Sequence, residues 1–448
     1  MSSRINLRNL WVQIHLWLGL SLGMIGALIG LTGSVLVFDH EIDSLLNPQR
    51  YAVSGDVVAL PYSEYLARAA QAVGERARPA NLRLPEGPGM PLTVLARGRG
   101  EGAGFTRVYL DPKSGKVLEA ADGGGLIGWA HNFHESLTMR QFAGREIVGA
   151  VGVAMLISSL SGLYLWWPGR ARLRMALGPR RGFNTTRNLH YLFGFYGALM
   201  LAMLSFTGIY LAFPDAGRAS VAPFSPLSPP TRGIQAPERP ALAAQVDAKG
   251  VPTAQPNEPG SRTGEDRGAR RDARRTTQDG SVATAAPQVQ PGDTPKGEAR
   301  MSAGRAAGAR EAGIKAIPVD EAAKIARALF PGAQLVGISL PTGPRGVYRV
   351  GLNPPAASLN PPGGALAVFI DPANGSVLRQ IDPASASAGD RYLAVMRPLH
   401  AASGLGLGWQ LLYALTGLLP PLLAVTGTLM WLRKRKYRVA AAGQAVGA

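Results

Sequence analysis

The stretch that decides the fold runs from His15 to Ser34 and reads HLWLGLSLGMIGALIGLTGS. A second stretch of the same design, HYLFGFYGALMLAMLSFTGI, runs from His190 to Ile209. Both are apolar, begin with a histidine and carry a Thr-Gly pair near the end. The histidine precedes that glycine by 18 residues in both cases (33 − 15 and 208 − 190). The chain therefore repeats a membrane-helix pattern, and we expect two related halves.

Each half contains a second apolar segment that also follows a histidine. His134 precedes SGLYLW, which begins at Ser161, and His400 precedes TGTLMW, which begins at Thr426. About 20 apolar residues are needed to cross the hydrocarbon core of a bilayer. The predicted membrane helices cover residues 11–38, 147–167, 190–213 and 409–432, with a kink expected at Pro420 and Pro421 in the last one. The first segment is too long for a cleaved signal peptide and is expected to remain as a signal anchor.

Basic residues flank these segments on one side. The loop between the second and third segments has arginines but no acidic residue, and the C-terminal tail begins with Arg433, Lys434, Arg435 and Lys436. The arginines of the loop are Arg170, Arg172, Arg174, Arg180, Arg181 and Arg187. By the positive-inside rule, this loop and both chain ends are predicted to be cytoplasmic. Because much of the net charge of +18 lies in these clusters, we do not expect nucleic acid binding.

Cysteine is absent from the sequence. Its absence excludes disulfides, iron–sulfur clusters with cysteine ligands, and haem held by a thiolate or by a CxxCH attachment site. Any haem must therefore be bound non-covalently, through histidine or methionine.

Two extramembrane modules are predicted on the side opposite the arginines, at residues 60–122 and 317–382. Each begins with a helix, with Ser63 as the expected N-cap of the first, and ends in strands joined by Asp-Pro-x-x-Gly at Asp111 and Asp371. The fixed φ of proline and the permissive φ of glycine suit a tight hairpin turn. Between the third membrane helix and the second module, residues 216–313 are poor in hydrophobic residues and are predicted to be a disordered linker.

These motifs resemble those of a known family. The Asp-Pro-x-x-Gly-x-Val-Leu modules are similar to PepSY domains, and the His-x-x-x-Gly…Thr-Gly and Ser-Gly-Leu-Tyr-Leu-Trp-Trp-Pro helices resemble the PepSY-associated transmembrane family of bacterial inner-membrane proteins. The resemblance covers the whole chain except the linker. It implies a multi-pass protein with periplasmic modules, two haems b, and reduction of a ferric siderophore or another iron chelate. No flavodoxin-like or FAD domain is fused here, so the implied electron donor is a separate cytoplasmic flavoprotein or a quinol.

The histidines can be paired by depth. His15 and His190 lie near the cytoplasmic ends of their helices and could ligate one iron from opposite sides, since an ionisable residue inside a span is usually functional. His134 and His400 would hold a second haem near the outer face. The alternatives are that the first two reach the headgroups and that the last two lie in surface loops. His131, three residues before His134, and His40 are secondary candidates for ligands.

The sequence therefore predicts an all-α membrane bundle of four helices with two small α+β modules. The expected function is a di-haem reductase that passes electrons to an external iron chelate. The alternative is a membrane anchor whose modules bind or restrain a periplasmic partner such as a protease, without redox activity. No nucleophile elbow, Walker sequence or HExxH motif occurs, so a hydrolase is not expected.

Overall fold

The structure is a computed structural model that describes residues 6–100, 104–167, 183–231, 233–237, 316–354 and 366–446. Five arginines of the predicted cytoplasmic loop and most of the predicted linker lie outside these ranges. The helices are α1 (Leu7–Ser21), α2 (Gly23–Leu36), α3 (Asp39–Leu46), α4 (Tyr62–Val73), α5 (Gly125–Ser136), α6 (Gly144–Trp166), α7 (Phe183–Ala212), α8 (Pro214–Val221), α9 (Val319–Leu329), α10 (Ala388–Ala401), α11 (Leu407–Gly417) and α12 (Leu419–Val446).

Three stretches are helical, long and apolar enough to cross a membrane: Gly144–Trp166, Thr185–Ala212 and Leu407–Ala440. The last comprises α11 and the first part of α12, which are interrupted at Leu418. This interruption directly precedes Pro420 and Pro421, where a kink was predicted. Proline lacks an amide proton and cannot continue the hydrogen-bond ladder of a preceding helix. The protein is a membrane protein with a helical membrane part and an α+β part.

The first predicted membrane helix, residues 11–38, is not continuous. It consists of α1 and α2, which meet at Leu22 with a bend of 62° and together are long and apolar enough for a broken span or a re-entrant loop. Ser21 and Gly23 flank the break, and the hydroxyl of Ser21 donates a hydrogen bond to the carbonyl of Trp17 at 2.6 Å. Sharp bends occur where glycine and serine weaken the helix and a side chain competes for its carbonyls. The prediction of a single helix was therefore wrong.

The strands of both predicted modules belong to one antiparallel sheet. The strands are β1 (Ala77–Arg83), β2 (Leu92–Gly98), β3 (Phe105–Leu110), β4 (Val117–Asp122), β5 (Gln334–Ser339), β6 (Tyr348–Asn353), β7 (Leu366–Ile370) and β8 (Val377–Ile381). Their order is β4-β3-β2-β1-β5-β6-β7-β8. The two modules join where β1 pairs with β5, at Asn81 with Ser339, Leu82 with Ile338 and Arg83 with Gly337. Two separate modules were predicted, so the continuity of the sheet corrects that prediction.

Each module packs a helix on its own strands. Tyr65, Ala69 and Val73 of α4 are buried in one core, and Ala322, Ala323 and Ala326 of α9 in the other. The predicted hairpin turns form at Asp111 and Asp371, with positive φ at Gly115 and Gly375 (68° and 73°). The helix and the Asp-Pro-x-x-Gly turn of each module therefore form where the sequence predicted them.

The helix N-terminus of the first module is capped from the second module. The backbone amides of Tyr62 and Ser63 donate to the carboxylate of Asp320 at 2.6 and 3.2 Å. The side chain of Ser63 does not cap α4, whose N-cap residue is Pro61. A carboxylate accepts hydrogen bonds from the free amides at a helix N-terminus and interacts favourably with the positive end of the helix dipole. Because Asp320 belongs to the second module and α4 to the first, this contact also links the two modules.

The predicted linker begins within ordered structure. Helix α8 starts at Pro214, and proline is favoured in the first turn of a helix. Beyond it, the amide and hydroxyl of Ser228 donate to the carboxylate of Asp390 at the start of α10. Order therefore extends past the predicted boundary at residue 216, as far as the described residues reach.

A buried ion-pair network fastens α3 to the sheet. Arg50 donates to Asp43 at 2.7 Å and to Glu119 of β4 at 2.8 Å. The side chains of Arg50 and Asp43 are only 5% and 9% exposed. Because α3 follows the first membrane helix directly, this network couples the membrane part to the sheet.

Replacing Arg50 with alanine should destabilise the protein by about 3–5 kcal/mol, because it leaves a buried carboxylate without its partner. The comparison is Lys324→Ala, which removes an exposed ion pair with Glu321 and should cost less than about 0.5 kcal/mol. Thermal unfolding in detergent measures both. Equal melting temperatures for the two variants would show that the Arg50 network does not hold α3 on the sheet.

Candidate functional site

Four histidines meet as two pairs inside the helical part. His15 of α1 and His190 of α7 have ring centroids 6.3 Å apart, with the rings at 87° to each other. We call them the basic-side pair, because Arg8 and Arg433 lie at the same end of the helices and bond to Leu165 and Thr186. The structure therefore brings together the two histidines that the sequence paired.

His134 of α5 and His400 of α10 form the second pair, with ring centroids 6.1 Å apart and rings at 51°. We call them the sheet-side pair, since α5 follows β4 and α10 follows β8. Neither histidine lies in a membrane-spanning helix. The helices α5 and α10 precede the spans and present these two rings to α2 and α7.

Each of the four rings is held by a Ser-Gly or Thr-Gly pair on another helix. The Nδ1 atom of His15 lies 3.1 Å from the hydroxyl of Ser161, and that of His190 lies 2.9 Å from the hydroxyl of Thr426. On the other side, Nδ1 of His400 lies 2.9 Å from the hydroxyl of Thr207. The Nδ1 atom of His134 lies 2.9 Å from the carbonyl of Ile29 and 3.3 Å from the hydroxyl of Thr32.

These contacts assign the proton on each ring. The hydroxyls of Thr32, Ser161, Thr207 and Thr426 each donate to a carbonyl of their own helix. Their oxygens therefore accept from the imidazoles, and Nδ1 carries the proton. In the neutral ring, a proton on Nδ1 leaves the lone pair on Nε2, and no described residue forms a hydrogen bond with Nε2 in any of the four. This arrangement is how metal-binding histidines are oriented by a surrounding shell of hydrogen bonds.

The glycine of each pair makes room for the imidazole. A Cβ atom added at Gly33 would lie 2.9 Å from Cε1 of His134, and one at Gly162 would lie 3.1 Å from Cε1 of His15. The corresponding distances are 3.2 Å from Gly208 to His400 and 3.4 Å from Gly427 to His190. The Thr-Gly and Ser-Gly repeats thus serve as receptors for the histidines of other helices.

The two pairs lie near opposite ends of the helical part. Along α7, His190 belongs to one pair and Thr207 holds the other, 17 residues apart (207 − 190). A helix rises 1.5 Å per residue, so this separation is about 25 Å. The distance approaches the thickness of the hydrocarbon core, about 30 Å.

The ring separations fit a metal ion bound between each pair. An imidazole nitrogen binds a metal at about 2.0 Å and lies about 1.1 Å from the ring centroid, so two opposed ligands place their centroids roughly 6 Å apart. No cluster of three or more His, Cys, Asp or Glu side chains that could hold a metal occurs in the described part of the chain. Each pair therefore offers only two nitrogen ligands, and a haem, which brings the remaining nitrogen ligands itself, would fit such a donor set.

Space beside the basic-side pair also suits a flat macrocycle. Gly19 and Gly194 lie four residues after His15 and His190, on the same helix faces. A Cβ atom at Gly19 would meet no atom within 4 Å, and at Gly194 the nearest would be Cδ2 of Leu423 at 3.8 Å.

The two secondary candidates lie elsewhere. Nε2 of His131 contacts Asp39 at 3.3 Å, and Nε2 of His40 contacts Glu86 at 3.5 Å. The Glu86 carboxylate raises the pKa of His40, and His40 in turn lowers the pKa of Glu86. Burial alone would raise the pKa of Asp39, but the contacts with His131 and His40 outweigh it and hold that pKa below its ordinary value. These residues form a charged cluster at the start of α3 and do not join either pair.

Sequence reasoning missed the partners of the histidines. Thr-Gly and Ser-Gly were recognised as repeats, but Thr32, Ser161, Thr207 and Thr426 were not identified as functional residues. The signal was present, because the same dipeptide type recurs in all four apolar segments. The dipeptide occurs both in apolar segments that begin with a paired histidine and in apolar segments that only follow one. This recurrence would have indicated a role in binding rather than in helix packing alone.

Comparisons with known proteins agree with this architecture. No curated protein matches the sequence. The model of the family described as the PepSY-associated TM region matches residues 12–434, nearly the whole chain. The match includes all four paired histidines and all four Ser/Thr-Gly receptors, and the chain therefore belongs to the PepSY-associated transmembrane family.

Proposed function

We propose that the protein is a di-haem, b-type oxidoreductase of the bacterial inner membrane that delivers electrons to an iron chelate, such as a ferric siderophore, on the periplasmic side. His15 and His190 would hold one haem, and His134 and His400 the other. The broken first helix would count as a membrane span, which completes a bundle of four. The basic ends of the helices would then be cytoplasmic and the sheet periplasmic.

The observation that carries this proposal is the pairing itself. All four rings are oriented through Nδ1, and both ring separations suit two nitrogen ligands on one iron. Structural histidines have no reason to meet in pairs with unprotonated nitrogens left over. His190 lies inside a helix that could cross the membrane, where an ionisable side chain is costly and is usually retained for function.

The haems would supply one-electron redox chemistry. The chain's own residues would set their properties. The four hydroxyls and the carbonyls of Ile29 and Ser158 accept the Nδ1 protons, which fixes the ring orientations and makes Nε2 a stronger ligand. The surrounding apolar helices would exclude water from both sites.

The donor would be a cytoplasmic flavoprotein or a quinol, because no flavin-binding motif occurs in the sequence. The acceptor would bind near the sheet-side pair, where electrons must leave the membrane. The membrane itself is the protein's other partner, and no nucleic acid is involved.

Purified protein tests the proposal directly. We expect a low-spin bis-histidine b-type absorption spectrum and about two haems per chain in a pyridine haemochrome assay. The matched control replaces all four paired histidines with alanine and should retain its α+β circular dichroism without haem. Wild-type protein that is free of haem, although expressed with an ample haem supply, would refute the proposed function.

A further inference from the structure

An apolar cavity of about 550 Å³ lies where the end of α7 meets α8 and α10. Phe206 and Ile209 line it on α7, on either side of the Thr-Gly pair that receives His400. Met396 lines it on α10 and precedes His400 by four residues, so both lie on one helix face. A molecule in this cavity therefore lies about one helical turn from the sheet-side pair.

Five of the twelve residues that line the cavity are aromatic, and the repeat does not explain them. The five are Phe206, Tyr210, Phe213, Phe224 and Tyr392. Offsets of 175 (190 − 15) and 266 (400 − 134) give their equivalents in the first half as Leu31, Val35, Phe38, Gln49 and Leu126. One of these is aromatic. Helix packing common to both halves does not require the other four rings, so they indicate a role specific to the second half.

Tyr210 shows the asymmetry most clearly. Its ring lies against Gly217 of α8, where a Cβ atom would collide with it. The equivalent positions in the first half are Val35 and Ile42. In the second half the larger side chain of this contact therefore belongs to the membrane helix, whereas in the first half it belongs to the short helix. The hydroxyl of Tyr210 forms no hydrogen bond with another of the described residues. The cavity is lined by one other hydroxyl, that of Ser220, which already donates to the carbonyl of Gly217, so Tyr210 offers the donor that is not used within the described residues.

We propose that this cavity binds the ring of an isoprenoid quinone, with the Tyr210 hydroxyl donating to a quinone oxygen. The volume lies within the range of small-molecule sites, 300–1,000 Å³ or so, and aromatic walls suit a flat ring. A phospholipid tail would need the apolar volume, but neither the aromatic walls nor the hydroxyl. The redox role of the quinone rests on the proposed function, because it needs an electron carrier at the sheet-side pair.

The quinol form would be a donor that supplies electrons on the sheet side. Oxidation of one quinol to the quinone releases two electrons and two protons, which suffices to reduce two ferric ions to ferrous ions. These electrons reach the acceptor without passing the basic-side pair. The cavity would thus provide a second point where electrons enter the protein.

Two adjacent residues of α8 provide a matched test. Both are exposed, but Ser220 lines the cavity and Ala219 does not. Purified full-length wild type, Ser220→Trp, Ala219→Trp and Tyr210→Phe are labelled with an azide-bearing short-chain ubiquinone under light, and the labelled peptides are mapped by mass spectrometry. We expect label on α7, α8 or α10 in wild type and Ala219→Trp. Labelling should fall at least tenfold in Ser220→Trp, because the indole fills the cavity, and roughly tenfold in Tyr210→Phe.

Labelling is read without electron transfer, so it is independent of the haem assay. Equal labelling of the two tryptophan variants would overturn the proposal. So would a competition experiment in which phosphatidylglycerol vesicles prevent labelling and the same concentration of unlabelled ubiquinone does not, because the cavity would then bind phospholipid. Haem-loaded protein that takes no label at the cavity would refute the quinone site alone. Labelled protein that never contains haem would refute the proposed function and, with it, the redox role of the quinone.

Discussion

His400→Ala should leave about one haem per chain instead of two and abolish reduction of a ferric chelate added on the sheet side. Under the proposed function, the variant removes one of the two histidines that would hold the haem from which electrons would leave. The measurements are a pyridine haemochrome assay and the rate of ferrous iron formation by proteoliposomes. His190→Ala should also cost one haem, yet leave the sheet-side haem reducible by a chemical reductant that does not cross the membrane.

The control for both variants is His131→Ala. His131 lies on α5 only three residues before His134, but it contacts Asp39 rather than His400. It should keep two haems and normal chelate reduction. Full haem loading and normal reduction in His400→Ala would show that the ligand lies elsewhere, and loss of a haem in His131→Ala would identify the correct residue.

Gly33→Ala should weaken haem binding at the sheet-side pair by about 10–100-fold, although it removes no ligand. The added Cβ would lie 2.9 Å from Cε1 of His134, closer than two carbons can approach. The ring would have to move away from Gly33, which disturbs its hydrogen bond with Ile29 and its position relative to His400. Titration of protein depleted of haem, followed by absorption, measures the loss.

Gly23→Ala is the matched control, since both glycines belong to α2. There the new Cβ would meet Cβ of Ala424 at 3.6 Å, an ordinary contact, and haem binding should be unchanged. Equal affinities in the two variants would mean that Gly33 does not position His134. The assignment of the Thr-Gly pairs as histidine receptors would then be wrong.

The sequence predicted those features that repeat in it. The spans, the hairpin turns and the pairing of His15 with His190 follow from apolar length, Asp-Pro-x-x-Gly and an offset shared by two segments. The break at Leu22 was missed because its cause is local competition between Ser21 and the backbone, which hydropathy does not register. Joining of the modules was missed because strand pairing between residues 81 and 339 depends on tertiary placement rather than on any local pattern.

The partners of the Thr-Gly and Ser-Gly pairs also depend on tertiary structure and could not be predicted from the sequence. The sequence shows each of these histidines at a fixed offset from a glycine of its own segment, as His15 from Gly33, and this offset revealed the repeat but no partners. In the structure His15 contacts Gly162 and Gly33 contacts His134, so the glycine partners are exchanged between helices. A one-dimensional repeat reveals that such residues occur in sets, but their partners depend on how the helices cross.

The strand pair β1–β5 has a consequence for how such a protein could arise. It runs antiparallel at the centre of the sheet and places the first four strands opposite the last four in mirrored order, which is the relation between two protomers of a twofold-symmetric dimer. Each histidine pair likewise takes one ring from either half. A protein half this length would therefore have no complete histidine pair until two copies met along that edge. Fusion of the two copies makes the encounter intramolecular, and it frees one copy to acquire features such as Tyr210 that the other lacks.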